Sequence, residues 1–385
     1  MQPCFFLNQL SFRFIRVVLR VLPVMNKRNI KDVLLIAAPG IGDALLSTPL
    51  VRSIKNAFPD SSISIMVREG QGEILRGIPE INQIIEVPKR MGLRKALPFL
   101  SNHLKEFELG ISTASGDRWL LFCSVMAKRC ILLVPNFRFK DFWKYLLPGK
   151  KVIENLEYPT ILQNLSLLSP LKIEPCVEVM LPQSTNDILK AYLPLDFDVD
   201  KKFAVIHIIP GYAYKQWAER NWKQLIAYII ERGLQVVLTS GPDVNDIAYI
   251  NYIKTLFPEK VISLAGKLPF SALGVLLKQA ALYVGPDTST THLAAASGCL
   301  TIALYGPTPI RKWAPWPKNY RSFLTPFSEG KMYQRRNNVI LLQGTCVENE
   351  SKIPCFHRNG DASLCLETLK FDLVKSAVDE CLSSM

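Results

Sequence analysis

The chain has 385 residues, 49% of them hydrophobic, and its 46 basic and 33 acidic side chains give a formal net charge of +13. That length accommodates two α/β domains of ordinary size, and the hydrophobic content, without repeats or low-complexity tracts, excludes a disordered chain. The positive charge favours a polyanionic partner: nucleic acid, an anionic membrane surface or a phosphorylated substrate. The nine cysteines are scattered and odd in number, a usage typical of reduced thiols in a cytosol.

Residues 1–30 form a segment of their own, because their apolar stretch is interrupted by Arg13, Arg16 and Arg20. On a helix this spacing makes one basic stripe opposite an apolar face. Such a face favours a helix lying in an anionic membrane interface over a spanning segment. A cleaved signal peptide is disfavoured, because an uninterrupted apolar stretch and a small-residue cleavage site are both missing. The alternative is that translation begins at Met25, which leaves the presence of residues 1–24 in the mature protein open.

From residue 32 the pattern is that of alternating strands and helices. An apolar run of buried-strand length leads into a glycine-containing turn, an amphipathic helix that ends before Pro59, and a second strand. This is a βαβ unit, and further apolar runs extend it into one doubly wound parallel sheet. The predicted strands are residues 33–38, 63–67, 84–87, 109–112 and 130–134.

Prolines cluster and periodicity weakens between residues 169 and 183, which predicts a linker before a second βα series. We therefore assign residues 31–180 to a first domain and 181–365 to a second, and expect residues 366–385 to form a helix that packs back on the first domain. Two such domains face a cleft, and ligands bind beyond the carboxyl ends of their strands. The predicted strands of the second domain are residues 203–208, 235–239, 261–264, 282–285 and 300–305, with helices at 222–232 and 290–297.

The strongest motif is VGPDTSTTHLAAA at residues 284–296, where a strand ends, a polar turn follows and a helix of small residues begins. Unpaired backbone N–H groups and the helix dipole make such a turn an anion site, and the hydroxyls of Thr288, Ser289 and Thr290 can add donors to a diphosphate. The alternative is that Asp287 is only an N-cap and residues 288–291 only a polar first turn.

A second motif follows the first strand, where Gly40 and Gly42 frame a turn that leads to Asp43 and Thr48. The glycines alone are a weak signal, because the third glycine of the dinucleotide fingerprint is absent. A carboxylate at the carboxyl end of the first strand would project into the cleft, where it could remove a proton from a hydroxyl. The alternative for Asp43 is a carboxylate favoured by the dipole of the helix that follows.

Lys215 opens a third motif, KQWAERNW, which follows the first strand of the second domain. Its ammonium group could bind the phosphates of a donor and neutralise the charge that develops on a leaving diphosphate. Trp217 and Trp222 in the same motif are interpreted as packing residues rather than as platforms for a base.

Other charged or metal-like patterns are interpreted as ordinary surface. The Asp-x-Asp pattern at 196–200 lies in a charged linker without a βαβ context, and the basic pairs at 311–312 and 335–336 are interpreted as local phosphate or membrane contacts, because no nucleic-acid-binding motif accompanies them. The cysteines near the C-terminus lack the close C-x2-C pair of structural zinc, so neither a metal nor a cofactor is expected. Those residues are Cys346, Cys355 and Cys365, with His357 nearby.

Taken together, these motifs resemble glycosyltransferase family 9, the heptosyltransferases. Their order and spacing are more specific than any one of them, and they cover nearly the whole chain from residue 32. The matching blocks are VLLIAAPGIGDALLSTP at 33–49, residues 211–222 and 235–243, VGPDTSTTHLAAA at 284–296, IALYGPTPIRKW at 302–313 and the three C-terminal cysteines.

The resemblance implies a GT-B type α/β fold, in which two Rossmann-like doubly wound parallel-sheet domains face a central cleft. It places the acceptor on the first domain and a nucleotide sugar on the second. It also implies an inverting, metal-independent transfer of heptose from ADP-heptose to the inner core of lipopolysaccharide. The enzyme would then work in the cytoplasm, peripheral to the inner membrane, and the net charge and the basic N-terminal segment fit an anionic lipid acceptor.

Site residues follow from the same resemblance by position. Asp43 would be the general base, Lys215 would hold the donor diphosphate, and Asp243 matches an acidic position that binds the ribose. His292 would support the phosphate and sugar loop. The expected set comprises the catalytic residues Asp43 and Lys215, the donor-binding residues Asp243, Asp287, Thr288, Ser289, Thr290 and His292, and the acceptor-loop residues Gly40, Gly42 and Thr48.

The family usually has glycine at the position of Ser289, so the identity of the donor sugar stays open, as do the acceptor hydroxyl, the oligomeric state and the extent of domain closure. One alternative is a GT-B transferase that uses another nucleotide sugar in outer-core or O-antigen assembly. Another is a catalytically silent lipopolysaccharide-binding protein, which the presence of both chemical groups disfavours. A nicotinamide-dependent dehydrogenase is disfavoured because neither half carries the full G-x-G-x-x-G fingerprint. The expected partners are a nucleotide-sugar donor, a lipid-linked glycan acceptor and an anionic membrane, but no nucleic acid.

Overall fold

The computed structural model describes residues 30–37, 39–194, 197–198, 201–345, 358–359 and 362–383. Its first domain is built on a six-stranded, wholly parallel sheet with the order β3-β2-β1-β4-β5-β6. The strands are β1 Asp32–Ile36, β2 Ser62–Arg68, β3 Gln83–Val87, β4 Phe107–Ser112, β5 Ala127–Val134 and β6 Lys150–Ile153. The helices are α1 Ile41–Leu46, α2 Thr48–Ala57, α3 Leu93–Asn102, α4 Asp117–Met126, α5 Phe142–Leu146 and α6 Thr160–Ser166, and α7 Asn186–Lys190 leads to the second domain.

The second domain repeats this architecture on a seven-stranded sheet with the order β12-β13-β11-β10-β7-β8-β9, in which only the β12–β13 pair is antiparallel. Its strands are β7 Phe203–His207, β8 Gln235–Thr239, β9 Val261–Ser263, β10 Leu282–Pro286, β11 Thr301–Tyr305, β12 Tyr333–Arg336 and β13 Val339–Gln343, followed by the short hairpin of β14 Arg358–Asn359 and β15 Ala362–Ser363. Its helices are α8 Glu219–Glu231, α9 Val244–Thr255, α10 Phe270–Gln279, α11 Ser289–Ser297, α12 Ile310–Trp313, α13 Leu364–Glu367 and α14 Phe371–Ser383.

The continuous apolar runs of the sequence become central strands that are covered by helices on both faces. In β1, Val33 and Leu35 belong to one apolar cluster, while Leu34 and Ile36 belong to the cluster on the opposite face of the sheet. Successive side chains of a strand point to opposite faces, so a strand covered on both sides has no polar alternation. The expectation of two doubly wound parallel sheets in a GT-B type fold is therefore confirmed.

One apolar cluster joins the two domains. It contains Leu45 and Leu50 from α1 and α2 of the first domain together with Leu293 from α11 and Leu276 from α10 of the second. Hydrogen bonds run beside it, from the Phe270 amide to the Glu73 carboxylate among others. The domains thus meet through helices that lie next to their carboxyl-terminal sheet edges.

Each sheet reverses its strand order at one place, between β1 and β4 in the first domain and between β7 and β10 in the second. The loops on the two sides of such a point diverge to opposite faces of the sheet and leave a crevice at its carboxyl edge. The loops after β1, β7 and β10 carry the three predicted motifs, so the topology brings these motifs to the two crevices.

The C-terminal helix differs from its expected position. We expected residues 366–385 to pack on the first domain, but α14 packs on α8 of the second domain, where Val374 and Val378 join the core cluster beside Leu225. The Tyr228 hydroxyl donates to Asp379, which fixes the same helix to α8. The reason is the apolar face of α14, which matches an apolar strip on α8 that lies within the same domain.

Some elements were not predicted, and some predictions fall outside the described residues. The sequence analysis did not predict β6, an edge strand that begins with two lysines, or the β12–β13 hairpin, which lies in a basic stretch. The predicted helix within residues 1–30 falls almost wholly outside the described residues, as do most of the Asp-x-Asp pattern and Cys346, Cys355 and His357. Over the described part of the chain, no helix is long and apolar enough to cross a membrane.

Gly149, in the turn before β6, offers a test of the fold. Its φ is +107°, and a Cβ atom there would lie 2.7 Å from the Cβ atom of Cys130 and 2.9 Å from the Cys130 carbonyl carbon. Gly70 has a φ of +78° with nothing within 4 Å of such an atom. The left-handed conformation alone costs a residue other than glycine roughly 1–2 kcal/mol. We therefore expect Gly149→Ala to lower the thermal unfolding midpoint by several degrees more than Gly70→Ala, and equal midpoints would contradict the close packing of β5 against this turn.

Candidate active site

Lys215 and Asp287 form the centre of the site, at the ends of two neighbouring strands of the second sheet. The Lys215 Nζ atom lies 2.5 Å from Asp287 Oδ2, and the side chains of the two residues are 15% and 6% exposed. The ammonium group also lies 5.6 Å from the ring centre of Tyr212 and 5.8 Å from that of Tyr214. A cation held over two aromatic faces and against a carboxylate is well stabilised and sits in one place.

The turn that carries Lys215 is held by contacts with the C-terminal segment of the chain. Residues 213–215 form one turn of 3-10 helix, and the next residue, Gln216, accepts a 3.0 Å hydrogen bond from the Ser363 amide through its carbonyl oxygen. Trp217 and Trp222 are fully buried and meet edge to face at 5.0 Å, and the Trp217 indole donates to the Leu369 carbonyl oxygen. The two tryptophans therefore pack, and they hold the lysine turn against the C-terminal segment.

The loop after β10 leads directly into α11 and is held by hydroxyl groups. Thr288 is the N-cap of α11, and its Oγ1 accepts from the Thr291 amide at 3.4 Å. The Thr291 hydroxyl donates to the Pro286 carbonyl oxygen and lies 2.9 Å from the hydroxyl of Tyr283, which is fully buried. Part of the hydroxyl run thus serves the loop itself, while Ser289 is partly exposed at the first turn of the helix.

His292 lies one turn into α11 and is buried. Its Nε2 atom is 4.0 Å from Asp287 Oδ1, and burial lowers the pKa of the imidazole to about 4. The ring is therefore neutral at physiological pH, and its contact with Asp287 is not an ion pair. Within the described residues, no hydrogen-bond partner reaches His292 Nδ1.

Asp43 belongs to the first domain, in the first turn of α1, and its carboxylate folds back toward Gly40. A Cβ atom built on Gly42 would lie 3.7 Å from His292 Cδ2, so α1 touches α11 of the other domain. Burial raises the pKa of Asp43 to about 6, and the negative charge of Asp287 acts in the same direction. The ammonium groups of Lys312 and Lys215 oppose this rise. The carboxylate thus shares one electrostatic site with the loop of the second domain.

The site contains two further residues, Lys312 and Tyr305, which the sequence motifs did not assign to it. Lys312 follows β11, with its Nζ atom 3.7 Å from Glu154 of the first domain and 5.4 Å from the Trp313 ring centre. The fully buried Tyr305, at the end of β11, donates to the Trp313 carbonyl oxygen, and burial together with the charge of Asp287 raises its pKa well above the usual value. The sequence feature that could have indicated both residues is the IALYGPTPIRKW block, because it begins on β11, the strand next to β10.

Two of the predicted residues have local partners of their own. Asp243 is the N-cap of α9, where its Oδ1 atom accepts from the amides of Asn245 and Asp246, and it stands exposed at the carboxyl edge of the sheet. Thr48 is fully buried, donates to the Leu45 carbonyl oxygen and accepts from the Met180 amide. Its hydroxyl thus closes the core of the first domain, whereas Asp243 lies where a ligand could reach it.

The arrangement combines a proton acceptor from one domain with a cation and helix N-terminus from the other. The carboxylate with a raised pKa can take a proton from a hydroxyl at neutral pH. The ammonium group and the amides that begin α11 favour an anion such as a diphosphate. Over the residues with a described position, no group of three His, Cys, Asp or Glu side chains could hold a metal ion.

Comparison with known proteins places this chain in a family. The model of glycosyltransferase family 9 (heptosyltransferase) matches residues 150–341. Lipopolysaccharide heptosyltransferase 3 of Escherichia coli is 29% identical over 303 residues, which cover 73% of this chain and 85% of that protein. Lipooligosaccharide heptosyltransferase 2 of Haemophilus influenzae is 23% identical over 309 residues, covering 72% of this chain and 84% of that protein.

Solved structures agree on the fold. A glycosyl transferase of family 9 from Veillonella parvula superposes with a TM-score of 0.71 at 16% identity, over 94% of this chain and all of that one. The structure of E. coli ADP-heptose lps heptosyltransferase II gives a TM-score of 0.68 at 17% identity, over 92% of this chain and 99% of that one. The two-domain architecture, the motif order and the sequence similarity agree, and the chain belongs to glycosyltransferase family 9, the heptosyltransferase family.

Proposed function

We propose that this enzyme transfers heptose from ADP-heptose to the inner core of lipopolysaccharide, with inversion at the anomeric carbon and without a metal ion. One observation carries the proposal. Asp43 of the first domain lies in the same electrostatic site as the Lys215–Asp287 pair of the second. A base for the acceptor and a cation for the donor diphosphate therefore meet at the domain boundary.

In the proposed reaction, Asp43 removes the proton of the attacking acceptor hydroxyl. The hydroxyl oxygen then forms a bond to the anomeric carbon of the donor sugar, and the bond from that carbon to the diphosphate breaks. A single displacement inverts the anomeric configuration, and ADP leaves with the bonding electrons. The ionised form of Asp43 predominates at neutral pH, because the pKa of about 6 lies below it.

Lys215 has a second task in this proposal. Without donor its charge is balanced by Asp287 at 2.5 Å. When the donor binds, the diphosphate supplies the negative charge that the ammonium group holds, and the extra charge of the departing ADP is stabilised there more strongly than the bound donor is. Asp287, Thr288, Ser289 and Thr290 are proposed to shape the phosphate and sugar loop, with the neutral His292 behind it.

The donor is proposed from the relatives. The similar curated proteins are named as heptosyltransferases, and E. coli WaaC has been solved with ADP and with ADP-2-deoxy-2-fluoro heptose. The exposed carboxylate of Asp243 would then meet the ribose hydroxyls, and the acceptor would lie along the turn of Gly40 and Gly42. We place the enzyme at the cytoplasmic face of the inner membrane, where such an acceptor is made.

One observation favours a second candidate, a transfer from another nucleotide sugar. Four hydroxyl residues, 288–291, follow Asp287 in this chain, and a side chain at Ser289 changes how closely the backbone can approach the donor sugar. Asp43 and Lys215 would keep their roles. Transfer assays with ADP-, UDP- and GDP-linked sugars separate the two candidates.

The first test is transfer from ADP-heptose to lipopolysaccharide truncated before the inner-core heptoses, in buffer that contains a chelator. We expect the wild-type enzyme to form product of inverted configuration, and Asp43→Asn to lower kcat roughly 10²- to 10⁴-fold, because the general base is lost. Asp60→Asn, which changes an exposed carboxylate of the same domain, is the matched control and should keep full activity.

Folding of the Asp43→Asn variant is checked by its unfolding midpoint at pH 8. Because burial raises the pKa of Asp43, the ionised carboxylate destabilises the folded state above about pH 6, and the amide removes that cost. The midpoint should therefore be equal to or higher than that of the wild type. An active Asp43→Asn enzyme would remove Asp43 from the mechanism.

The pH profile gives an independent test of the same carboxylate. Activity should fall on the acid side with an apparent pKa of about 6, and Lys312→Gln should move this fall to higher pH, because the ammonium group of Lys312 holds the pKa of Asp43 down. Lys318→Gln is the control, since Lys318 also spans the domain boundary, to Glu178 at 3.1 Å, but is not among the charges that act on Asp43. Identical acid limbs in wild type and Lys312→Gln would contradict the assignment.

A further inference from the structure

The first domain carries an exposed apolar surface on α3 and on the segment around α5. We name it the docking face and define it by Leu93 and Leu97 of α3 and by Phe137, Phe139, Phe142 and Leu146 of the segment around α5. Phe139 is 87% exposed, Leu93 78% and Leu146 73%. Scattered single apolar residues on a surface need no explanation, but a grouped set of large ones marks an interaction site.

The two groups of apolar side chains in the docking face belong to segments that are tied to one helix, α4. The Arg118 guanidinium donates to the carbonyl oxygens of Pro88 and Lys89 at 2.9 and 3.1 Å, which ties the start of α4 to the segment before α3. Lys144 of α5 pairs with Asp117 of α4 at 3.0 Å. The segments that carry the two groups of apolar side chains are therefore held against the same helix.

The exposed rings are held in place. Lys144 is 7% exposed and bonds to the Ser115 carbonyl oxygen as well as to Asp141 at 2.9 Å. The Tyr145 hydroxyl donates to the Pro135 carbonyl oxygen at 2.6 Å. These bonds anchor residues 137–146 on the domain, so the aromatic side chains project from a fixed base.

The charge of the docking face selects its partner. Residues 89–95 and 137–151 contain nine basic residues and one acidic residue, Asp141, and Asp141 is already paired with Lys144. Large apolar side chains surrounded by cations match the boundary between anionic headgroups and acyl chains. Two copies of this chain would instead bring two basic surfaces together.

The position of the docking face connects it to the site. Residues 137–142 follow the carboxyl end of β5, Asp43 follows the carboxyl end of β1, and only β4 lies between these strands. At a strand spacing of about 4.8 Å, the two loops leave the sheet edge roughly 10 Å apart. A surface seated at residues 137–142 would lie beside the cleft, on the domain that carries the proposed base.

We infer that the docking face seats the first domain on an anionic lipid bilayer, with the rings of Phe137 and Phe139 in the interface and the surrounding lysines and arginines on the headgroups. The docking face would contact an anionic membrane through residues other than those of the helix predicted within residues 1–30. The inference rests on the proposed function only where it concerns the delivery of a lipid-linked acceptor, and the binding itself does not depend on the sugar transferred.

The test uses the full chain with vesicles of phosphatidylethanolamine and phosphatidylglycerol, and with phosphatidylcholine vesicles for comparison. We expect the double variant Phe137→Ser/Phe139→Ser to lower affinity for the anionic vesicles at least about tenfold, because two large apolar groups leave the interface. Tyr252→Ser/Leu256→Ser, which changes exposed apolar residues of the second domain, is the matched control and should bind as the wild type does.

Hydrogen exchange of residues 137–146 supplies a reading local to the docking face. These amides should exchange more slowly with anionic vesicles than without them. Unchanged affinity of the double variant, or unchanged exchange on vesicles to which the protein is bound, would overturn the inference. The inference would also fail if the wild-type chain self-associated through the docking face and the Phe137→Ser/Phe139→Ser substitutions left vesicle binding unchanged.

Transfer assays separate this inference from the proposed function. The double variant should lose transfer to a vesicle-embedded acceptor and keep transfer to a deacylated, water-soluble one. If the wild-type enzyme transfers heptose to neither, the proposed function fails while the vesicle-binding result stands on its own. If the variant loses both transfers equally, the docking face does not deliver the acceptor.

Discussion

The packing of α1 against α11 across the domain boundary is the contact on which the site depends. Each helix begins at the carboxyl edge of its sheet, next to the point where the strand order reverses. Their contact brings Asp43 of one domain and Asp287 of the other into one buried region, and the apolar cluster beneath it, with Leu45 and Leu293, holds them there. Neither domain alone contains both the Asp43 carboxylate and the Lys215 ammonium group.

Burial makes the charges at this boundary interdependent. Two carboxylates, Asp43 and Asp287, stand against two ammonium groups, Lys215 and Lys312. Burial raises the pKa of Asp43 to about 6 and lowers that of His292 to about 4. At neutral pH the carboxylate is therefore mostly ionised, and the imidazole is neutral. A diphosphate entering this region adds negative charge beside Lys215, and a base whose pKa is near neutrality remains able to accept a proton.

Much of this could be predicted from the sequence, because long buried runs and glycine-marked turns are local signals. The parallel strands, the turn before Asp43 and the polar start of α11 were predicted in this way. The position of α14 was not, because an amphipathic helix shows which face is buried but not which partner covers it. Lys312 was interpreted as a local phosphate or membrane contact, and its effect on Asp43 was not predicted, because the two residues come from different domains.

The predicted roles of Thr48 and Asp243 show the same limit. Both belong to blocks that resemble the family, yet the hydroxyl of Thr48 closes a hydrogen bond to Met180 in the core, while Asp243 caps a helix and remains exposed. A motif indicates which segment of the backbone belongs to the site. Only the contacts of each side chain distinguish a residue that supports the turn from one that a ligand could reach.

We propose that the cleft accepts an ADP-linked heptose on Lys215. The most direct measurement is calorimetric titration of the purified protein with ADP-heptose, ADP, and UDP- and GDP-linked sugars. We expect ADP-heptose to bind more tightly than the UDP- and GDP-sugars, and Lys215→Met to remove most of this binding. Preference for a UDP- or GDP-sugar, or ADP-heptose binding that is unchanged in Lys215→Met, would contradict this proposal.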